Sequence, residues 1–318
     1  MAVLTDKIAL AAPRAATRTG PSRAGDALFR GGAYASAILV LLVLAGILGA
    51  IVYGGWPAFR TFGFGFLTSS AWNVGTEQYG ALVAVIGTLA SAFLALAIGV
   101  PISLGIAVYL TQLCPGWARK PVSMTIELLA AVPSIIYGMW GLFIFAPLFA
   151  KFVQIPTSSL VEGLPVVGTL LYARVPSGVG VLTAGIILAI MIVPFVASIS
   201  RDVLDQIPTV LRESAYGIGC TTWEVVRHVL VPQASVSIIG AIMLGLGRAL
   251  GETMAVTFVV GNANRLSASI FDPGSTIASR IANEFNEADG MQLSALLALG
   301  CLLFLVTFRS RASCRERV

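Results

Sequence analysis

Residues 201–232 read RDVLDQIPTVLRESAYGIGCTTWEVVRHVLVP. Two apolar faces at helical spacing, Ile207 with Leu211 and Val225 with Val226 and Val229, are separated by Gly217 and Gly219. The pattern predicts two short helices joined at a flexible glycine-rich corner. Pro232 is expected to stop the second helix as the chain turns back into apolar sequence. On either side lie the runs 179–200 and 234–260, in which apolar residues dominate. This polar, doubly helical loop between two apolar runs is the feature on which the fold reading turns.

Outside the loop the composition fixes the solvent. Hydrophobic residues make up 57% of the 318 and charged residues 11%, with a mean hydropathy of +0.90. An ordinary soluble domain carries about 25% charged residues. Surface must be made largely of polar atoms, so a soluble fold has nowhere to hide this much apolar side chain. Lipid is the expected surrounding of most of the chain. The net charge of +5 and pI near 9.2 do not make it a nucleic-acid binder. Its basic residues sit at the ends of apolar runs and are not interleaved with aromatics in one domain.

A hydrocarbon core of about 30 Å takes about 20 helical residues. Six runs approach that length: 33–53, 80–110, 122–149, 179–200, 234–260 and 291–308. The expectation is an all-α, polytopic membrane protein with six transmembrane helices, the second kinked or tilted at Pro101. Lys7, Arg14, Arg18, Arg23 and Arg30 in the N-terminal tail, Arg119 and Lys120, Arg201, Arg212 and Arg227, and Arg309, Arg311, Arg315 and Arg317 in the C-terminal tail fall on one side. Arg60, Lys151, Arg174, Arg265 and Arg280 fall on the other, so the count is fourteen against five and places both termini in the cytoplasm.

The domain plan is then a mobile basic tail over 1–32, a membrane domain over 33–308 and a short basic tail over 309–318. External loops occupy 54–79, 150–178 and 261–290. The first has the aromatic density of a membrane-interface belt (Trp56, Phe59, Phe62, Phe64, Phe66, Trp72 and Tyr79). The second carries Pro156, Pro165 and Pro176 and suggests a short re-entrant or interfacial element. The first apolar run exceeds the 7–15 residues of a signal peptide's apolar region and reads as a retained anchor. Cys114, Cys220, Cys301 and Cys314 have no metal-like spacing and are expected reduced. His228, the one histidine, lies in the 201–232 loop, which argues against a metal site.

The stretch RALGETMAV, residues 248–256, puts Arg248 and Glu252 inside the fifth run. A charge at bilayer depth costs at least about 2.5–3.5 kcal/mol. Read as one helix, the two are four residues apart and share a face, with Gly240, Gly245, Gly247 and Gly251 allowing close packing. Two readings stand. One is a salt bridge that serves packing; the other is a polar station on a translocation path. The order Arg then Glu is the less favourable for an intrahelical pair. A guanidinium fork suits a tetrahedral oxyanion, and a carboxylate beside it accepts a hydrogen bond only from a protonated one. Glu127, near the start of the third run, suggests a snorkelling or helix-start role.

Glu213, Ala215, Gly219 and Pro232 stand at the spacing of the EAA motif of binding-protein-dependent ABC importer permeases, with Ser214, Val229 and Val231 as departures. The stretches 127–141 (ELLAAVPSIIYGMWG), 180–194 (GVLTAGIILAIMIVP) and 245–257 (GLGRALGETMAVT) extend the match. Over about 34–308 the chain resembles the phosphate-specific (Pst) transporter permeases, PstC-type. The resemblance implies a type I ABC importer permease fold whose 201–232 loop docks on an ATP-binding subunit. It implies that Arg248 and Glu252 take part in phosphate movement. It also implies an assembly: a homologous second permease, two ATP-binding cassette subunits and an external phosphate-binding protein. The chain has no GxxxxGK phosphate loop ending in Ser or Thr, so no cofactor is expected in it and ATP would be used by the partner subunits. It reads as a transport component and not an enzyme. The nearest alternative is an ABC permease for another oxyanion (phosphonate, molybdate or sulfate). A stand-alone secondary transporter is the alternative from another class, and no convincing internal repeat supports it.

Overall fold

In the computed structural model the described residues are 23–161 and 167–315. Most of the expected 1–32 tail, with Lys7, Arg14 and Arg18, lies outside them, as do Pro165 and the last three residues of the chain. The elements run α1 (Arg23–Phe62), α2 (Gly65–Thr68), β1 (Trp72–Asn73), β2 (Gln78–Tyr79), α3 (Leu82–Val108), α4 (Gly116–Ala130), α5 (Ser134–Trp140), α6 (Ala146–Phe149), α7 (Ile155–Val161) and α8 (Val167–Leu171). They continue with α9 (Val181–Asp205), α10 (Thr209–Gly217), α11 (Thr222–Val225), α12 (Val231–Gly251), α13 (Met254–Val259), α14 (Ile277–Glu284) and α15 (Gly290–Arg315). Single π turns extend α3 to Leu113, join α5 through α7 into one helical stretch, and link α11 to α12. Among the described residues six helical stretches are long and apolar enough to span a membrane: Gly25–Phe62, Leu82–Leu113, Ser134–Val161, Val181–Asp205, Thr222–Gly251 and Gly290–Arg309.

The number of spans agrees with the expectation; several of their limits do not. The helix of α1 begins at Arg23, inside the expected tail, and takes in residues 54–62 of the expected first loop. The third span is displaced furthest. Its expected run, 122–149, breaks after Ala130, and the membrane-length stretch is Ser134–Val161, which absorbs the beginning of the 150–178 loop. Pro133 is the cause: it has no N–H for the carbonyl of Leu129 and its ring pushes Val132 away from helical geometry. Pro232, in contrast, does not stop its helix. The π turn Val226–Leu230 precedes it and the stretch from Thr222 to Gly251 stays helical. A proline near the start of a new hydrogen-bonding register loses little. The last helix continues past Phe308 to Arg315.

The chain divides into two units at Ala50. In the first, the 25–50 part of α1 exposes most of its apolar side chains, Leu39 to Leu42 among them. In the second, Ile51–Val318, α3 and α9 pack through small residues. A Cβ on Gly99 would lie 2.9 Å from Ile192, and one on Gly185 would lie 2.7 Å from Leu94. Ser103, fully buried, donates to Gly99 O at 2.6 Å and lies 3.3 Å from Val193 O. Without a hydrophobic drive between helices in lipid, close backbone approach and dispersion provide the association.

The aromatic loop is more than a belt. Phe66 and Tyr79 are buried with Ile277, Leu296 and Leu299, while Trp56 and Phe64 remain exposed. Arg280, counted above as an external-loop cation, is buried and paired. It donates to Glu284 at 3.0 Å and to Asn264 at 3.2 Å and lies 4.8 Å over the Trp72 ring. Glu284 accepts in turn from Trp72 Nε1 at 2.8 Å. Glu127 sits near the end of α4, not at its start, and accepts from Arg201 at 2.9 Å; with the Arg119–Asp205 pair this ties α4 to the end of α9.

Candidate functional site

Three of the four motif residues of the 201–232 loop, Glu213, Ala215 and Gly219, fall in one corner. α10 follows Pro208 and ends with a glycine cap. Gly219 has φ +92°, a conformation open to glycine and strained for other residues. Its N–H donates to Tyr216 O at 3.0 Å, and Cys220 N–H donates to Ala215 O at 3.1 Å. Together these two bonds are a Schellman motif, with Ala215 as the acceptor three residues inside the helix end. Ala215 is also buried among Leu204, Ile207, Val225 and Leu230, where a larger side chain would collide. Two motif positions thus have a local structural reason.

The chain then restarts at once. Thr221 caps α11, accepting from Glu224 N, and the Glu224 carboxylate accepts from Thr221 N at 2.7 Å. This is a capping box. Arg212 donates to Leu204 O and fastens α10 to the end of α9. Glu213 is exposed, and so are the apolar residues Val210, Leu211, Tyr216, Ile218 and Trp223 of α10, α11 and the turn between them; Ile218 is 84% accessible. The corner is therefore rigid within and apolar without. Pro232 lies beyond it on α12 and is exposed.

The second group differs from the sequence reading. Arg248 and Glu252 do not share the face of one helix, because α12 ends at Gly251. Glu252 has extended geometry, φ −72° and ψ 123°, and a new helix begins at Met254. Among the described residues no ion pair joins the two. Arg248 lies in the last turn of α12, and its side chain is exposed. Glu252 reaches forward, its Oε1 3.4 Å from Ala255 N at the start of α13. A cation at a helix C-terminus and an anion at an N-terminus each sit at the favourable end of a helix dipole. The order Arg then Glu, unfavourable in an unbroken helix, becomes favourable across a break. Of the glycines expected to line this helix, Gly245 packs on Val196, whereas a Cβ on Gly240 or Gly251 would meet open space.

Two interrupted spans lie side by side here. α5, starting after the Pro133 break, packs on α13, starting after the Glu252 break. A Cβ on Gly138 would fall 2.8 Å from Ala255 Cα, and one on Gly141 would fall 2.9 Å from Val259. Tyr137 donates to Leu129 O at 2.9 Å across the first break. Tyr137 lies in the 127–141 stretch, and no role is expected for it from the sequence. The usable signal was Pro133 four residues before it, which withdraws a donor from Leu129. The Glu252 break had a weaker signal, Gly251 followed by the β-branched Thr253 two residues on.

A family model described as binding-protein-dependent transport system inner membrane component matches residues 99–312. The phosphate transport system permease protein PstC of Pasteurella multocida is 55% identical over 285 residues, covering 89% of this chain and 88% of that protein. Its counterpart from Mesorhizobium japonicum is 53% identical, covering 89% and 86%. PstC 2 of Mycobacterium tuberculosis is 35% identical, covering 93% and 92%. Among solved structures, a chain of a bacterial alginate ABC transporter in complex with its periplasmic protein aligns with a TM-score of 0.60 at 15% identity, covering 92% of this chain and 95% of that one. That likeness is one of fold. The matched residues take in the corner, both interrupted spans, Arg248 and Glu252, and the chain belongs to the family of binding-protein-dependent transport system inner membrane components, where it stands with the PstC-type permeases.

Proposed function

We propose that this chain is one permease half of an ATP-driven importer of inorganic phosphate, with both termini in the cytoplasm. Its partners are a homologous second permease, two ATP-binding subunits that dock on the 201–232 corner, and an external phosphate-binding protein. ATP is hydrolysed in the ATP-binding subunits. The names of the relatives support the substrate, and the charge count supports the orientation.

The observation that carries the reading is Arg248 at the open end of α12, unpaired by any carboxylate among the described residues, with Glu252 across the break. The guanidinium offers a planar fork of N–H donors to a tetrahedral oxyanion. The carboxylate accepts a hydrogen bond only from an oxyanion that still carries a proton. Hydrogen phosphate has one at neutral pH; sulfate does not. A cation alone would admit both, so the pair has the chemistry of a selective station. The exposed apolar rim of the corner supplies a surface for a grooved partner, and its capped, rigid interior transmits displacement to α9 and α12.

Uptake of labelled phosphate and labelled sulfate in a strain lacking its own phosphate system tests this. Phosphate import that depends on a co-expressed ATPase and binding protein is expected. Equal uptake of sulfate removes the phosphate assignment, and transport by the purified chain alone removes the ABC assignment.

A further inference from the structure

Between the end of α3 and the start of the α11–α12 stretch lies an apolar groove of about 630 Å³. Gly105, Tyr109 and Leu113 stand in one wall and Trp223, Arg227 and Val231 in the other, each row advancing by four residues. Both walls carry a π turn at this level, Tyr109–Leu113 on one side and Val226–Leu230 on the other. Such turns add a residue to the helical register and recur at functional sites. A Cβ on Gly105 would meet open space, so the glycine leaves a notch in its wall. The membrane-length stretch Leu82–Leu113 ends here and Thr222–Gly251 begins here. Leu113 and Trp223 are therefore at the edge of the apolar layer, with Gly105 and Val231 about 12 Å further in. Arg227, midway, is the one charged residue of the lining among the described residues. It is exposed and enters no ion pair among the described residues. Glu224, one turn before it, spends its carboxylate on the Thr221 N–H and hydroxyl, at 2.7 and 2.9 Å.

We propose that this groove binds an acidic phospholipid, its phosphate on Arg227 and an acyl chain running past Gly105 and Val231. The guanidinium fork matches a phosphate, and its long stem lets it reach the headgroup level from within the apolar layer. An exposed tryptophan at a span's edge belongs at that same level. A basic group between transmembrane helices favours an acidic headgroup over a zwitterionic one. Inorganic phosphate would use Arg227 but none of the apolar length below it; a lipid uses both. Bound there, the lipid braces α3 against the stretch that leaves the corner. Its leaflet, the cytoplasmic one, rests on the orientation proposed above, whereas the groove and its ligand do not.

The test uses the purified, assembled transporter and native mass spectrometry with added phosphatidylglycerol or phosphatidylethanolamine. Two variants probe the two halves of the site. Arg227→Gln removes the charge, and Gly105→Leu fills the notch without meeting a neighbour. The unaltered complex is expected to retain phosphatidylglycerol about tenfold more than phosphatidylethanolamine. Retention should fall about tenfold in Arg227→Gln and about fivefold in Gly105→Leu, with the subunits still co-purifying. Equal retention of the two lipids by the unaltered complex overturns the proposal, as does undiminished phosphatidylglycerol in either variant. Displacement of the lipid by inorganic phosphate alone would make Arg227 a soluble-anion site and overturn it too. Loss of a protein subunit from both variants, with no lipid retained by the unaltered complex, would make the groove a protein interface. Lipid retention is read without transport, so failure of the importer reading leaves this result standing and is told apart from it.

Discussion

The chain turns out of helical geometry at two places of the candidate site, and it does so by opposite means. At the corner between α10 and α11 the backbone is satisfied locally. Gly219 and Cys220 return their N–H groups to α10, and Thr221 with Glu224 closes the start of α11. At the break between α12 and α13 the local closure is thin. The Glu252 carboxylate reaches Ala255 N only at 3.4 Å, and Thr253 has no side-chain cap bond. What holds this break is tertiary: the Gly138 face of α5 against Ala255. A locally closed corner is a stiff lever that keeps its shape while a partner pushes on it. A break held from outside leaves helix ends and their charges available to a passing ion. In lipid such unwound backbone is tolerated only where protein or a polar cavity surrounds it.

The largest expected effect separates these roles. Arg248→Gln removes the charge and the fork but keeps a polar side chain, and should lower phosphate import by about a hundredfold or more, the scale of losing one or two charge-assisted hydrogen bonds of about 1.5–3 kcal/mol each. Co-purification of the subunits should be unchanged, because among the described residues no ion pair of Arg248 holds the fold. A complex that falls apart in this variant would make Arg248 a packing residue and erase the contrast. The mirror experiment is Glu213→Ala with Gly219→Pro. Proline fixes φ near −65°, whereas the corner requires +92°. Capture of the ATPase subunit should fall by about tenfold or more while the permease still folds. Retained capture by the folded variant would remove the corner's role in docking, and lost folding would show that the corner serves the membrane domain.

The contrast also explains what could be read in advance. The corner was legible because its determinants are short-range: the glycine pair, the apolar spacing of Ile207, Leu211 and Val225, and its placement between two apolar runs. The six spans were legible for the same reason, since length and hydropathy are local quantities. Arg248 and Glu252 were visible as charges in an apolar run, but their geometry was misread as one helical face. The local signal at the break, Gly251 and the β-branched Thr253, is too weak to tell a helix through Glu252 from one broken there. The deciding contact is Gly138 on Ala255, more than a hundred residues apart in the chain. Pro133 and Pro232 make the same point. Both lack the N–H, yet the first ends its helix while a π turn carries the second through.

If tertiary packing holds the break, crowding that contact should disturb transport before it disturbs the corner. Gly138→Val places its branch where even a Cβ lies 2.8 Å from Ala255 Cα, and backbone cannot yield as a side-chain tip can. Overpacking of this kind costs about 1–3 kcal/mol. Import is expected to fall about fivefold and the unfolding midpoint of the complex by several degrees, with ATPase capture unchanged. Equal import by Gly138→Val would mean that the two interrupted spans are positioned by some other contact.

The smallest effect probes the claim of local closure at the corner. Thr221→Ala removes the side-chain acceptor of the capping box, a loss of about 1 kcal/mol for an N-cap. The Glu224 carboxylate still reaches the Thr221 backbone N–H, at 2.7 Å, so half of the box survives. α11 also continues through the π turn into α12, which spreads the loss over a helical stretch of membrane length. The expected outcome is a fall of about 2–4 °C in the unfolding midpoint, import within twofold of the parent, and full recovery in Thr221→Ser. The corner has a second, independent closure in the Schellman bonds of Gly219 and Cys220, so stiffness should outlast the loss of one cap. If Thr221→Ala instead uncouples import as strongly as Gly219→Pro does, the two closures act as one unit. The lever would then be only as stiff as its weaker end, and the difference between the two turns would be one of degree.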